Sequence, residues 1–261
     1  MNDGAPRLIA FDLDDTLAPS KSAIHPVMGR LLCALAGRID VAIISGGSLE
    51  QFLVQVVDRL PEADAATLSS FHLLPACGTQ YYRIGLAGVE TVYARSLAAD
   101  ARAEAMAVVE EEARRLGLWE TRPWGEIVED RGSQVTFSAL GQHAPVGAKS
   151  AWDPTGTKKN ALRAAVAARL PELEVRSGGS TSVDITERGI DKAYGMKRLV
   201  EQTGIPLDDM LFVGDRLDVD GNDYPVLAMG VPCKAVAGWE DTAAFLRGLI
   251  LRSGVRDSTA G

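Results

Sequence analysis

Four apolar residues, Leu8-Ile9-Ala10-Phe11, run without a polar break and stop at Asp12. A run that is apolar at successive positions reads as a strand buried on both faces, the habit of a parallel sheet covered by helices. The acids begin where that strand should end, in Asp12-Leu13-Asp14-Asp15-Thr16. Residues two apart on a strand face the same way. Asp12 and Asp14 are therefore expected side by side, where two carboxylates repel unless a cation separates them or one keeps its proton. The carboxyl ends of strands in an open α/β sheet are where ligands bind. An Asp-rich turn is the plain alternative, since Asp is a common turn residue.

The chain continues by alternating strand and helix. Pro26 opens a helix to about Ala36, because proline suits a first turn. Val41 to Ile44 reads as a second strand, closed by Ser45-Gly46-Gly47-Ser48. Leu49 to Val57 reads as a helix and Phe71 to Pro75 as a third strand, which gives a βαβαβ start. The habit then changes. Gln80 to Ile84 with Val89 to Tyr93, and Ile127 to Asp130 with Gln134 to Ser138, read as hairpins. Leu173 to Arg176 pairs with Ser182 to Thr186, and helices lie over Asp100–Leu116 and Lys158–Leu170. Hairpins with two helices imply an antiparallel sheet with helices on one face. The first habit resumes with a helix from about Asp191 to Gln202 and strands at Met210–Val213 and Val231–Val236. A short helix over Asp223–Ala228 and a closing one over Glu240–Leu249 complete the pattern. The expected organisation is an α/β, Rossmann-like parallel core in two parts, 1–81 and 188–252, interrupted by an α+β module at 82–187. A frayed tail follows at 253–261.

Of the 261 residues, 46% are hydrophobic and 24% charged, as in ordinary globular domains, and the formal net charge of −8 opposes a nucleic-acid or anionic-membrane partner. No apolar run approaches the length of a membrane span. Cys33, Cys77 and Cys233 fit no zinc spacing and read as buried thiols of a reducing cytoplasm. Neither a strict GxGxxG nor a Walker A pattern occurs.

Three further features fall at expected carboxyl ends of core strands. Ser45-Gly46-Gly47 can offer hydroxyl and backbone donors to an anion, while Ser48 reads as a helix N-cap. Lys192, near the start of the helix after the inserted module, is a compact cation of the kind that holds phosphate. Gly214-Asp215-Arg216-Leu217-Asp218-Val219-Asp220-Gly221-Asn222-Asp223 carries four acids in ten residues. It is not a calcium loop of the EF-hand kind. Aligning Asp218, Asp220 and Gly221 to that loop's third, fifth and sixth positions puts Arg216 first and Leu227 last, where acids are needed. Oxygen donors of this kind suit a hard cation, with Mg²⁺ the default for phosphate chemistry.

The sequence DLDDT at 12–16, the hydroxyl after strand two, the lysine, and GDxxxxxxND at 214–223 together resemble the four motifs of the haloacid dehalogenase superfamily. The module after the third strand resembles the large α/β cap of its type II group. Within that group the chain is most similar to the eukaryotic-type phosphomannomutases, through Gly46-Gly47-Ser48, Arg131, Ser180-Thr181-Ser182-Val183-Asp184 and Gly189-Ile190-Asp191-Lys192. The resemblance implies that Asp12 is the nucleophile and Asp14 the general acid and base. It implies Mg²⁺ held by the Asp12 carboxylate, the Asp14 carbonyl and Asp215, with Asp223 and Asn222 behind. Ser45, Gly46 and Lys192 would bind the phosphoryl group. Arg131, Ser182 and Asp184 of the cap would bind the sugar or its distal phosphate, as would position 142. Cap closure, and a homodimer through the cap, are further family expectations.

Three departures bear on the reaction. Gln142 stands where the phosphomannomutases carry a second phosphate-binding arginine, Asp15 replaces a glycine, and Asp215 replaces an asparagine. Removing one charged hydrogen-bond donor from a phosphate costs about 1.5–3 kcal/mol. A mutase must hold its sugar by either of two phosphates, so Gln142 points towards hydrolysis. The reading is a Mg²⁺-dependent phosphotransferase for a small-molecule hexose phosphate, hydrolysis favoured, with a phosphomannomutase as the alternative. A non-catalytic sugar-phosphate binder or a phospho-aspartate receiver is the reading from a different class.

Overall fold

The computed structural model describes residues 5–256, with the side chains described to residue 252. It divides into two compact units. One is built from residues up to Tyr93 and from Asp191 onward; the other is Ala94–Ile190.

The first unit contains β1 (Leu8–Phe11), α1 (Pro26–Ala36), β2 (Asp40–Ile44), α2 (Leu49–Gln55), α3 (Ala65–Ser69), β3 (Phe71–Leu74), β4 (Gln80–Gly85) and β5 (Gly88–Ala94). The second contains α4 (Ala99–Arg115), β6 (Val128–Asp130), β7 (Gln134–Ser138), α5 (Val146–Trp152), α6 (Thr157–Arg169), β8 (Leu173–Ser177) and β9 (Ser182–Glu187). The chain then returns to the first unit with α7 (Lys192–Thr203), β10 (Met210–Gly214), α8 (Tyr224–Ala228), β11 (Cys233–Ala235) and α9 (Trp239–Arg256).

The first sheet has the order β11-β10-β1-β2-β3-β4-β5. β10, β1, β2 and β3 pair in parallel in the registers Leu8↔Met210, Leu8↔Asp40 and Val41↔Phe71. Alternate residues of these strands feed two separate cores. Ile9, Phe11, Val41, Ile43 and Val213 pack with residues of α1 and α9, while Leu8, Ala10, Ala42, Ile44 and Phe212 pack with Met196 and Leu199 of α7. Both faces are thus buried, which is why these strands read as unbroken apolar runs. The local signals act as expected. Pro26 opens α1, and Ser48 and Gln51 form a reciprocal capping box on α2.

β4 pairs antiparallel with β3 through His72↔Arg83 and Leu73↔Tyr82. The hairpin that starts at Gln80 therefore extends the first sheet, whereas its sequence pattern placed it in the inserted module at 82–187. Alternation shows that a strand exists but not which strand it joins; here the buried His72 of β3 and Tyr81 of β4 are bonded at 2.7 Å. α9 continues to Arg256, past the expected start of the tail at 253, and the rest of that tail lies outside the described residues. Cys33, Cys77 and Cys233 are partly exposed, where buried thiols were expected. Among the described residues no helix is long and apolar enough to cross a membrane.

In the second unit β6-β7-β9-β8 form an antiparallel sheet. Val135, Phe137, Val175, Val183 and Ile185 pack with Val108, Val109, Leu162 and Val166 of α4 and α6. The intervening positions, among them Gln134, Thr136, Ser138, Ser182 and Thr186, are polar and buried.

Candidate active site

The chain steps outward from β1 to β2 to β3, then returns to the other side of β1 as β10. That reversal is the switch point at which open α/β sheets leave a crevice. Asp12 follows β1 and Asp215 follows β10 there. The ladder runs one step past β1, with the Asp12 amide donating to the Val213 carbonyl at 2.9 Å. Two-residue alternation then turns Asp12 to the same face as Ala10, the face that packs on α7. Lys192 is the first residue of α7, whose N-cap, Asp191, accepts from the Tyr194 amide at 3.0 Å.

Close backbone approach brings these elements together. A Cβ on Gly78 would lie 2.6 Å from the Gly195 Cα, and one on Gly195 would lie 3.0 Å from the Cys77 carbonyl oxygen. Only glycines let α7 approach the turn after β3 so closely. The same turn supports the loop after β2, with the Cys77 amide donating to the Ser45 carbonyl at 2.9 Å and the Ala76 amide to the Gly47 carbonyl at 3.0 Å. Ser45 is buried, and its Oγ accepts from the Gly47 amide at 3.1 Å. Its hydroxyl proton is thus left for another acceptor.

The Lys192 ammonium lies 2.6 Å from Asp12 Oδ1 and 2.5 Å from Asp223 Oδ1. Relative exposure is 3% for Asp12, 1% for Lys192 and 0% for Asp223, so these charges must be met inside the protein. Oxygens of Asp12, Asp215 and Asp223 all lie within 4.8 Å of one another. Burial pushes the Asp12 carboxyl well above its usual range; Lys192 pulls it down, and Asp223 and Asp215 push it up again. Asp215 is raised by burial and by Asp223. Burial alone would lower Lys192, but Asp12 and Asp223 outweigh it and hold the ammonium above its ordinary value.

Three carboxylates share one lysine. This excess of negative charge and the all-oxygen donor set fit a hard divalent cation. Both Asp223 oxygens are already engaged, Oδ1 with Lys192 and Oδ2 with the Arg216 amide at 3.0 Å. Asp223 therefore suits a place behind the cluster, and Asp12 and Asp215 are the better ligands. Thr16 donates to Asp215 Oδ1 at 3.4 Å, and its own carbonyl accepts from Thr242 Oγ1 at 2.7 Å. Sequence reasoning missed this tether from α9, because Thr242 lies far along the chain.

β1 ends at Phe11, so strand period does not set Asp14 beside Asp12 as the sequence suggested. The chain turns instead. Leu17 and Ala18 amides donate to the Leu13 carbonyl, and Asp15 adopts a left-handed conformation, φ 60°. Asp is tolerated there, although the resembled pattern has glycine. Asp14 Oδ1 accepts from the Lys21 amide at 2.5 Å and stands outside the carboxylate cluster. Asp12 is crowded by Asp215 and Asp223 rather than by Asp14. Burial still raises the Asp14 carboxyl, against the Lys21 hydrogen bond. A raised carboxyl is what a general acid needs.

The second unit gathers the other expected residues on the polar face of its sheet. Thr136 and Asp184 are register partners; Thr136 Oγ1 donates to Asp184 Oδ1 at 2.8 Å and Gln134 Nε2 to the same oxygen at 3.0 Å. Arg131 pairs with Glu129 Oε2, through its Nε at 3.1 Å and a terminal nitrogen at 2.5 Å. The Gln142 side-chain amide donates to Glu129 Oε2 and, at 3.0 Å, to Ser138 Oγ. Glu129 was missed from sequence, although its place two residues before Arg131 was a readable signal. Ser182 is buried opposite Ser138 in the register. Asn222 lies in the loop that ends at Asp223.

The sequence profile of the haloacid dehalogenase-like hydrolase family matches residues 149–229. Phosphomannomutase 1 of Mus musculus is 23% identical over 226 residues, 85% of this chain and 83% of the relative. A phosphomannomutase of Saccharomyces cerevisiae is 24% identical, covering 84% of each chain. Among solved structures, an N-terminally truncated Plasmodium falciparum IMP-nucleotidase superposes with a TM-score of 0.69 at 14% identity, over 93% of this chain and 70% of that one. A haloacid dehalogenase-like hydrolase from Bacteroides thetaiotaomicron gives 0.61 at 16% identity, over 94% and 99%. The structural likenesses establish the fold. Together with the profile and the relatives, they support an enzyme of the haloacid dehalogenase superfamily near the phosphomannomutases.

Proposed function

We propose that this protein is a Mg²⁺-dependent phosphotransferase for hexose phosphates that works through a phosphorylated Asp12 and delivers the phosphoryl group to water. The observation that carries the reading is the buried Asp12–Lys192–Asp223 cluster beside Asp215 at the switch point of the sheet. Similarity to phosphomannomutases supports phosphoryl transfer on a sugar phosphate.

Asp12 Oδ attacks phosphorus and the bond to the sugar oxygen breaks, while Asp14 gives that oxygen its proton. Water then attacks the aspartyl-phosphate, Asp14 takes a proton from it, and phosphate leaves with Asp12 restored. Lys192 and the Ser45 hydroxyl, with the Gly46 amide, hold the phosphoryl oxygens, and Asp223 keeps Lys192 in place. Asp12, Asp215 and the Asp14 carbonyl would hold Mg²⁺, which would supply charge to offset repulsion between carboxylate and phosphate. Arg131, Gln142, Ser182 and Asp184 are assigned to the sugar.

The specific alternative is a phosphomannomutase, favoured by the curated relatives. Gln142 and Asp215 weigh against it. Phosphorus NMR of the protein with Mg²⁺ and mannose or glucose phosphates, with and without hexose bisphosphate, separates the two. Inorganic phosphate as main product is expected. An isomeric hexose phosphate that depends on the bisphosphate would establish the mutase. No product, with Asp12→Asn behaving as wild type, would end the enzymatic reading.

A further inference from the structure

Resting on the Mg²⁺ reading of the Asp12–Asp215 site, we infer that Thr242 of α9 is a positioning residue for that site, acting through Thr16 on the Asp215 carboxylate.

Thr242 belongs to none of the motifs at 12–16, 45–48, 192 or 214–223, and it stands 226 residues beyond Thr16 in the chain. Its Oγ1 nevertheless donates to the Thr16 carbonyl at 2.7 Å. A threonine inside a helix commonly returns its hydroxyl hydrogen to the carbonyl four residues back. Here that carbonyl, of Gly238, lies 3.4 Å from Thr242 Oγ1 and already accepts from the Thr242 amide at 3.1 Å. A hydroxyl has one hydrogen to give, and the shorter contact takes it to Thr16. Thr16 and Thr242 are both fully buried. Without the hydroxyl, the Thr16 carbonyl would have no water to turn to.

Both ends of the tether are fixed. Leu13 and Leu17, on either side of Thr16, share one apolar core with Ala243 and Leu246 of α9. The turn between them is closed by the Leu17 and Ala18 amides on the Leu13 carbonyl. With its carbonyl pinned in this way, Thr16 offers its own hydroxyl to Asp215 Oδ1 at 3.4 Å. Lys192 holds Asp12 and Asp223, and Thr16 reaches Asp215. A donor behind a metal-binding carboxylate fixes its rotation and the lone pairs left for the cation. Thr242 thus sets, one residue removed, the rotation at which Asp215 is offered to Mg²⁺.

The test is Mg²⁺ binding to the full-length protein, by titration calorimetry without substrate and by the rise in melting temperature with Mg²⁺. Thr242→Val keeps the shape and removes the hydroxyl. It should weaken Mg²⁺ binding at least about threefold, within the worth of one neutral hydrogen bond. Thr242→Ser keeps the hydroxyl and should restore the parental affinity. Thr16→Val should also weaken Mg²⁺, and combining it with Thr242→Val should weaken it no further, because both act on Asp215 through one hydroxyl. Thr242→Ala repeats the comparison should the valine variant not fold. A Thr242→Val protein that melts lower yet holds Mg²⁺ at parental affinity overturns the inference alone, as do additive losses in the double variant. Failure of the parent to bind Mg²⁺ overturns the Mg²⁺ reading and the inference together.

Discussion

Removing the Lys192 side chain should be costly, and the loss should depend on pH in a defined direction. Lys192→Met keeps most of the volume and deletes the charge. The ammonium sits 2.6 Å from Asp12 and 2.5 Å from Asp223, and none of the three side chains is more than 4% exposed. Removing one partner of a buried ion pair leaves the other charge uncompensated and costs about 3–5 kcal/mol. For a chain of this size that corresponds to a fall in melting temperature of about 6–20 °C. Without Lys192 the contributions that lower Asp12 vanish, while burial, Asp223 and Asp215 still raise it. A carboxyl with a folded-state pKa above its unfolded value destabilises progressively as pH rises through that interval. The penalty should therefore be small below about pH 4, where the carboxyl is protonated in both states, and should grow as pH rises towards neutral. Mg²⁺ should recover part of it, because a cation among Asp12, Asp215 and Asp223 replaces the missing charge. Calorimetric melts of wild type and Lys192→Met across pH, with and without Mg²⁺, measure this directly. A difference below about 1 kcal/mol at neutral pH, or one indifferent to both pH and Mg²⁺, would refute the argument, since it would mean that these carboxylates do not need the lysine.

Three other outcomes are expected. Gly214→Ala places a Cβ into the Asp223 carboxylate and 2.8 Å from Phe212 Cε1. It should cost about 1–3 kcal/mol by overpacking and lower activity by displacing Asp223, which denaturant titration and phosphate release would show. Asp215→Asn removes one of the proposed Mg²⁺ ligands and should move the Mg²⁺ dependence of phosphate release at least about tenfold upward, the worth of one charged ligand; an unmoved titration would place the cation elsewhere. Burial holds His72 below its ordinary pKa, against the pull of Asp40 3.5 Å away, and its Nε2 makes no hydrogen bond. A folded imidazole that resists protonation gives stability that is complete above about pH 6.5 and is lost as pH falls below it. His72→Gln should flatten that part of the melting profile.

The core site was legible because its parts lie at strand ends that announce themselves. Leu8–Phe11 and Met210–Val213 are apolar because both faces are covered, and an acid follows each within two residues. What the motifs could not give was the partner of each acid. Strand period set Asp14 beside Asp12, yet the turn through Asp15 carries Asp14 off to the Lys21 amide, and residues near 215 and 223 crowd Asp12 instead. That arrangement depends on how closely α7 and the loop after β10 can approach, which is decided at Gly78, Gly195 and Gly214. A glycine in sequence does not say which backbone it will meet.

The second unit was legible in a different way, and its limits explain where the chemistry is undecided. Alternation correctly gave hairpins and the polar positions of the sheet, because period two is a local property. It put the hairpin from Gln80 to Ala94 with the inserted module, since alternation does not say which strand a hairpin joins. The family resemblance gave Arg131 as a ligand of the distal phosphate and left out Glu129, although the two share one compact cluster with Gln142. The proposed delivery of the phosphoryl group to water turns on that cluster. A mutase must grip either end of a bisphosphate with comparable strength, which needs cationic charge remote from the nucleophile as well as beside it. Lys192 provides it beside Asp12. On the second sheet Arg131 is already paired with Glu129 and position 142 carries no charge, which is why the proposed reading gives the phosphoryl group to water.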